Sequence, residues 1–332
     1  MSEQRELLLE VKNLCKWFPQ KRKISDVLTG KERKYLKAVN DVSFNIYKGE
    51  NLGLVGESGC GKSTLARTIL RLYEPTSGTV KLRGEDISHM KGSQLRKMRP
   101  QMQMIFQDPY SSLNPRMSVY DIIAEMLRYH KVVPESEIPA QVEKLLTMSG
   151  LTMDIAERFP GEFSGGQRQR IGIARALSLS PAFIVADEPV SALDVSIQAQ
   201  IINLLGHLQK ELDLTVLFIS HDLRVVRHIT DRVMVMYLGS NVEVGPTEEI
   251  FDQPAHPYTQ VLTKAAPKLN PLDRTRDYAI EGEPPSPINT PSGCKFHPRC
   301  QYCTDKCRTE VPELREIAPG RLCACHYPLT ER

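Results

Sequence analysis

Residues Gly56-Glu57-Ser58-Gly59-Cys60-Gly61-Lys62-Ser63 set three glycines ahead of a lysine and a hydroxyl at the spacing G-x-x-x-x-G-K-[ST]. The short apolar run NLGLVG leads into them, and STLARTILRLYEP follows with helical spacing until its proline. Strand, loop and helix in that order form a phosphate cradle. Glycines let successive backbone N–H groups turn toward a β-phosphate, and the helix adds its positive N-terminal end. Lys62 then reaches the β- and γ-phosphates. Ser63 offers its hydroxyl to Mg²⁺, a cation that takes a few protein oxygens together with phosphate oxygens. The bland alternative, a glycine-rich turn with a chance lysine, leaves the flanking strand and helix unexplained.

Downstream, FIVADEP is an apolar strand ending in Asp187 and Glu188. A nucleotide site in an open α/β sheet lies at such strand ends. Paired acids there are usually solvated or capping residues, but the phosphate loop upstream favours divided roles. Asp187 holds Mg²⁺ through its water shell, and Glu188 polarises the water that attacks the γ-phosphate. A third element, Phe163-Ser164-Gly165-Gly166-Gln167-Arg168-Gln169-Arg170, precedes the apolar helix IGIARAL. Ser164 and the amides of Gly165 and Gly166 at that helix N-terminus offer an anion site. Its plain reading is a Ser-capped helix with flexible glycines.

With this third element the chain resembles the ABC ATPase family, departing from the common form LSGGQ only by Phe163. The resemblance implies a head-to-tail dimer in which Ser164, Gly165, Gly166 and Gln167 face the nucleotide held by the opposite subunit. It further implies that Gln107, in MIFQDP, touches Mg²⁺ and relays nucleotide state. Asp194, in SALD, belongs to a loop crossing the dimer interface, and His221, in FISHDL, contacts the γ-phosphate. Phe18 falls where the family stacks an aromatic ring on adenine, beside Trp17. Nucleotide contacts are accordingly expected from Phe18, Gly56, Ser58, Gly59, Cys60, Gly61, Lys62, Ser63 and Thr64. The catalytic set is Glu188, His221, Gln107 and Lys62; the Mg²⁺ set is Ser63, Gln107 and Asp187. Alone, a Gln at a strand end is usually surface, a His there is usually structural, and Phe18 could be plain core.

QDPYSSLNPRMSV and HPYTQVLTKAAP narrow the resemblance to the ATP-binding subunits of bacterial dipeptide and oligopeptide importers and their nickel-carrying relatives. That branch implies a peripheral ATPase on the cytoplasmic face of the plasma membrane. Its partners are integral membrane permease subunits, a second ABC ATPase subunit, identical or paralogous, and indirectly a substrate-binding protein. Coupling helices of the permease would dock in a groove near Gln107 and the helical lobe. The rival reading is a soluble ABC ATPase acting on nucleic acid or ribosomes. Such relatives usually carry two cassettes or long nucleic-acid-binding arms, whereas this chain has one phosphate loop. A third reading, a nucleotide-gated adaptor without catalysis, conflicts with intact Glu188 and His221.

These motifs need an α/β scaffold: a mostly parallel P-loop-type sheet with an antiparallel β part, an inserted helical subdomain and a Cys-rich C-terminal extension. LLLEVKNLCKWF reads as an opening strand, KRKISDVLTGKERK as a solvated basic loop, and AVNDVSFNIYKGE as a second strand. VYDIIAEMLRYH and PAQVEKLLTMSG turn helical, placing a helical subdomain at about 115–178. Helix and strand then alternate from residue 165, as a parallel sheet requires. Proline becomes frequent from Pro267 to Pro298. The expected domains are therefore an ATPase domain over 1–265 and an extension over 266–332. A chain of 332 residues with 41% hydrophobic and 25% charged residues is composed like an ordinary globular protein. A net charge of +3 argues for neither nucleic acid nor anionic lipid. The opening residues lack the pattern of a secretory signal, and no window approaches the roughly 18–20 apolar residues that span a bilayer.

Six of the eight cysteines, Cys294, Cys300, Cys303, Cys307, Cys323 and Cys325, crowd the end of the chain. Without a secretory signal, metal is favoured over disulfides. Resemblance to the tails of some peptide-importer ATPases implies a 4Fe–4S cluster on Cys294, Cys300, Cys307 and Cys325. Zinc competes, because Cys300-x₂-Cys303 has a zinc-like spacing. Reduced, unligated thiols are the plain alternative.

Overall fold

A computed structural model describes residues 5–22, 32–265 and 282–331. The basic loop expected over 21–34 lies mostly outside the described residues, as does the start of the proline-rich stretch, 266–281. The strands in chain order are β1 (Leu7–Pro19), β2 (Tyr35–Tyr47), β3 (Asn51–Val55), β4 (Ser77–Leu82), β5 (Glu85–Asp86) and β6 (Met102–Ile105). They continue with β7 (Phe183–Asp187), β8 (Thr215–Ile219), β9 (Arg232–Tyr237), β10 (Ser240–Pro246), β11 (Arg315–Ala318) and β12 (Arg321–Cys323). The chain packs as two compact units, each assembled from separated stretches.

The phosphate-loop unit gathers the described residues of 7–45, 52–89 and 221–331. One of its sheets runs β2-β1-β4-β5. In β2 the buried side chains Val42, Phe44 and Ile46 alternate with more exposed neighbours, the period-two pattern of a strand with one covered face. β1 pairs antiparallel with β4 through Leu9↔Leu82 and Val11↔Val80, then shifts register between Lys12 and Cys15. A second strand set runs β11-β12-β10-β9-β3. β3 lies parallel to β9, from Leu52↔Arg232 to Val55↔Val235, and every residue of β3 is buried. The remaining pairings are antiparallel, so the C-terminal strands β12 and β11 extend this set beyond β10.

The helix after the phosphate loop covers only Lys62–Ile69, shorter than the run to Pro75 that the spacing predicts. The cause is local. Arg71 takes a left-handed φ of 55°, and the N–H groups of Leu72 and Tyr73 both return to the Arg67 carbonyl. The Arg71 side chain is drawn inward, donating from Nε to the Ile87 carbonyl at 2.9 Å.

The carboxylate unit is built mainly from 46–51 and 90–220. Its strands run β8-β7-β6, all parallel, with Met102↔Phe183 and Phe183↔Thr215 in register. All five residues of β7 are buried, so it reads as a continuous apolar run rather than an alternating one. Helices Val119–His130, Ile138–Met148 and Gly165–Leu177 pack on one another. Ser118 caps the first by accepting from the Asp121 N–H at 3.1 Å, and Lys131 ends it at a left-handed φ of 51°. Val119, Ile122, Ile123 and Leu127 supply its buried face. Among the described residues, no helix is long and apolar enough to cross a membrane.

Candidate functional site

The phosphate loop leaves the carboxyl end of β3 and closes on its own lysine. Lys62 is 6% exposed, and its Nζ donates to the carbonyls of Gly56 at 2.8 Å and Glu57 at 3.1 Å. Those carbonyls hold the ammonium group inside the curl, where a phosphate oxygen would compete for it. Two glycines are obligatory. At Gly56 (φ 152°) a Cβ would collide with the Met236 carbonyl oxygen, and at Gly61 (φ 110°) with that of Ala38. Gly61 is also the cap of the helix Lys62–Ile69, its carbonyl accepting from the Leu65 N–H at 2.8 Å. Ser63 and Thr64 occupy the first turn of that helix. Ser58 and Gly59 sit exposed at the crest, while the Cys60 thiol is turned inward and burial pushes its pKa up. Phe18 is half-buried in edge contact with Tyr73, their centroids 5.6 Å apart, with the Lys16 ammonium 5.0 Å from its ring centre.

In the carboxylate unit the carboxyl ends of adjacent parallel strands carry the remaining chemistry. Gln107 lies just past β6, Asp187 ends β7, and Glu188 follows it. Gln107 Nε2 donates to Glu188 Oε2 at 3.1 Å, so the structure brings these two predicted residues together. Asp187 is 1% exposed. Glu188 holds a left-handed φ of 48°, unfavourable for a residue with a side chain. Its backbone is pinned from both sides: the N–H donates to the Ile219 carbonyl at 2.9 Å, and its carbonyl accepts from the Ser191 N–H at 3.2 Å and hydroxyl at 3.1 Å. That strain aims one carboxylate and spends backbone energy to do it. His221, where the chain re-enters the phosphate-loop unit, is exposed and precedes Asp222, which caps the helix Leu223–Ile229.

Ser164 caps the helix Gly165–Leu177 in a reciprocal box: its Oγ accepts from the Gln167 N–H at 3.3 Å, and Gln167 Oε1 accepts from the Ser164 N–H at 3.0 Å. The glycines also serve packing, a role the sequence analysis missed. A Cβ at Gly166 would lie 2.5 Å from Ile197 Cγ2, and one at Gly165 would lie 3.1 Å from Leu193 Cδ2. Asp194 is the exposed N-cap residue of the helix Val195–Glu211.

The C-terminal residues of the phosphate-loop unit meet the loop directly. Arg299 grips Glu57 with both arms of its guanidinium, Nη1 to Oε2 at 2.9 Å and Nη2 to Oε1 at 3.0 Å. The Glu57 N–H donates to the Tyr258 hydroxyl at 2.9 Å. Phe296, 1% exposed, packs edge-on against Tyr237 at 5.4 Å and tilted against Tyr258 at 5.4 Å. A buried ion pair lies nearby: Arg321 Nη2 meets Glu243 Oε1 at 2.9 Å, and Glu243 also accepts from the Ala255 and His256 N–H groups at 2.9 and 2.8 Å. Sequence reasoning used HPY as a branch marker and looked only at the cysteines around Arg299. The one available signal was the string HPRC, a basic residue set beside a thiol.

Cys294, Cys300, Cys307 and Cys325 line one cavity with His297 and His326 at its wall. Cys303 is outside it, and Cys323 is buried in β12. Burial pushes the Cys294 thiol up to about 12 and the Cys300 thiol to about 11. Among the described residues, no three His, Cys, Asp or Glu side chains form a group that could hold a metal ion.

Residues 39–191 match the family described as ABC transporter, and residues 242–307 match the C-terminal region of oligopeptide and dipeptide transporters. The oligopeptide transport ATP-binding protein AppF of Bacillus subtilis is 52% identical, covering 97% of this chain and 97% of its own length. A probable peptide ABC transporter ATP-binding protein of Sinorhizobium fredii, y4tS, is 50% identical over 97% of this chain and 90% of its own length. Among solved structures, the dimeric post-hydrolysis ATP-binding cassette MJ0796 with ADP and Pi covers 72% of this chain and 99% of its own at 29% identity, with a TM-score of 0.62. The Clostridium perfringens protein cbiO1, part of the ABC transporter complex cbiONQ, covers 75% and 92% at 29% identity, with a TM-score of 0.63.

Proposed function

This chain belongs to the ABC transporter ATPase family, and from that premise we propose that it binds and hydrolyses ATP to energise a membrane importer of dipeptides or oligopeptides. The observation that carries the reading is Glu188, a strained carboxylate pinned beside buried Asp187 and hydrogen-bonded to Gln107. Lys62 gives up its two carbonyl partners to take β- and γ-phosphate oxygens. Glu188 orients and polarises the attacking water, with His221 on the γ-phosphate and Gln107 released from Glu188 as the site fills. Ser63, Gln107 and Asp187 are the residues suited to Mg²⁺, which when bound neutralises phosphate charge. Ser164, Gly165, Gly166 and Gln167 address the nucleotide of a second ABC ATPase subunit, Asp194 lies at the interface between the two, and Phe18 stacks on the base.

In this reading residues 1–265 are the nucleotide-binding domain, with a helical subdomain at about 115–178, and 266–332 form an extension. The subunit sits peripherally at the cytoplasmic face of the plasma membrane, bound to integral permease subunits that a substrate-binding protein feeds. The alternative of a soluble ATPase acting on nucleic acid or ribosomes has no support in the relatives above, both described as peptide transport proteins. The test is affinity purification of the full chain from membranes: a stoichiometric integral membrane protein and ATP hydrolysis in the complex are expected, and recovery with ribosomes or nucleic acid instead would overturn the reading.

A second reading concerns the thiol cavity, which suits a 4Fe–4S cluster on Cys294, Cys300, Cys307 and Cys325. Convergence of these four thiols on one cavity supports it. A four-iron core takes one thiolate per iron, four in all, and zinc is the competing metal for a thiolate set. Such a cluster would supply one-electron chemistry or a structural pin. Anaerobically purified protein should be brown and carry about four irons per chain by that ligand count. Colourless protein with stoichiometric zinc would refute the cluster, and Cys303→Ser losing as much metal as Cys307→Ser would refute the ligand choice.

A further inference from the structure

Glu57 is the second residue of the phosphate loop, a carboxylate placed where the negative charge of a polyphosphate has to gather. Left alone it would repel that ligand through the poorly screened interior of the loop. Its compensation comes from far along the chain, because Arg299 grips both of its oxygens at 2.9 and 3.0 Å across 242 residues of sequence. The Arg299 side chain is 4% exposed and that of Glu57 is 22% exposed, so solvent screens the pair weakly. The fork geometry is the one that makes arginine, unlike lysine, a bidentate carboxylate partner.

Main chain and side chain of Glu57 are held from the same direction. Its N–H donates to the Tyr258 hydroxyl, and Arg299 also reaches the Tyr237 hydroxyl at 3.4 Å. Arg299 itself is carried on a single turn, His297–Arg299, between Cys294 and Cys300. That turn is anchored by Phe296 among Tyr237, Tyr258 and His256, and by Lys295, whose Nζ donates to the Leu238 carbonyl at 2.9 Å.

We propose that Arg299 is a positioning residue of the nucleotide site, which by neutralising Glu57 readies the phosphate loop and makes ATP affinity depend on the placement of the C-terminal segment. Nothing in the loop itself replaces it, since the Lys62 ammonium is committed to the phosphates. The inference rests on the reading of the loop as an ATP site, and it separates nucleotide affinity from chemistry: Glu188 and Gln107 are untouched. Displacing the turn between Cys294 and Cys300 moves the guanidinium off Glu57, and the loop then meets phosphate with an unpaired acid.

The experiment measures binding of a fluorescent ATP analogue and steady-state ATPase kinetics on the full chain in its assembled transporter. Arg299→Gln should weaken ATP binding about tenfold, which is about 1.4 kcal/mol, raising KM while kcat at saturation stays near wild type. Adding Glu57→Gln removes the exposed charge and should restore most of the affinity, although the fork is still missing. A merely structural role predicts the opposite, a double variant no better than the single. Arg299→Gln with wild-type affinity, or no rescue by Glu57→Gln, overturns the proposal. If Arg299→Gln does not fold, Arg299→Lys and Arg299→Met, which keep and remove the charge, take its place: affinity near wild type in the first and about tenfold weaker in the second supports the proposal, and an equal loss in both, or none in either, overturns it. Wild-type protein that fails to bind ATP, or Lys62→Ala that binds it normally, would instead overturn the ATP reading and leave the Arg299 contact a separate matter.

Discussion

Lys62 donates to the carbonyls of Gly56 and Glu57, and the proposed function has it exchange them for phosphate oxygens. Lys62→Ala removes charge-assisted hydrogen bonds that no neighbour can replace, so ATP affinity should fall on the order of 10²-fold in an equilibrium titration. Glu188→Gln acts on a different step. The amide keeps the shape and the hydrogen bond from Gln107 can be remade, but the base is lost, so ATP should bind normally while kcat falls by about 10²–10⁴-fold in single-turnover assays. Near-normal turnover would show that another group activates the water. Both residues were legible in the sequence because each follows a short apolar strand within a few positions, and local order alone set their context. The strain at Glu188 was not legible, since it comes from the Ile219 carbonyl and the Ser191 hydrogen bonds that pin its backbone.

Among elements, legibility followed the distance over which contacts form. Helices with complete local signals, such as Val119–His130 with Ser118 as its cap, read directly from the chain. The helix Lys62–Ile69 read too long, because its stop is a left-handed Arg71 and not the proline further on. The grip of the C-terminal segment on the rest of its unit was invisible, being made of pairs such as Arg321 with Glu243, 78 residues apart. Arg321 is 4% and Glu243 0% exposed at the side chain, and the carboxylate is also the acceptor for two backbone N–H groups. Arg321→Met should therefore cost roughly 3–5 kcal/mol in urea unfolding, because it leaves a buried charge behind. Arg321→Met combined with Glu243→Leu should recover part of that loss. A single variant as stable as wild type would mean that solvent reaches the pair on local opening.

For the whole molecule, the motif proposed to address a second subunit is anchored within its own chain. Ser164 and Gln167 satisfy each other through the capping box, which keeps the helix N-terminus ordered and its dipole pointed outward before any partner arrives. Glu188→Gln protein mixed with ATP and Mg²⁺ should consequently shift to twice the subunit mass in light scattering, or to a mixed dimer when a paralogous ATPase is supplied. Lys62→Ala should show no such shift, and a shift without nucleotide would detach dimerisation from ATP binding.

The parallel pairing of β3 with β9 joins Leu52 to Arg232, some 180 residues further on. A ribosome adding 5–20 residues each second needs roughly 10–35 s to travel that far. Throughout that interval the nascent strand bearing the phosphate loop has no β9 beside it. Arg299 emerges later still. A polypeptide released just before Arg299 thus carries every ATP motif and β9 but lacks the guanidinium that grips Glu57, and it should hold nucleotide less tightly than the finished chain.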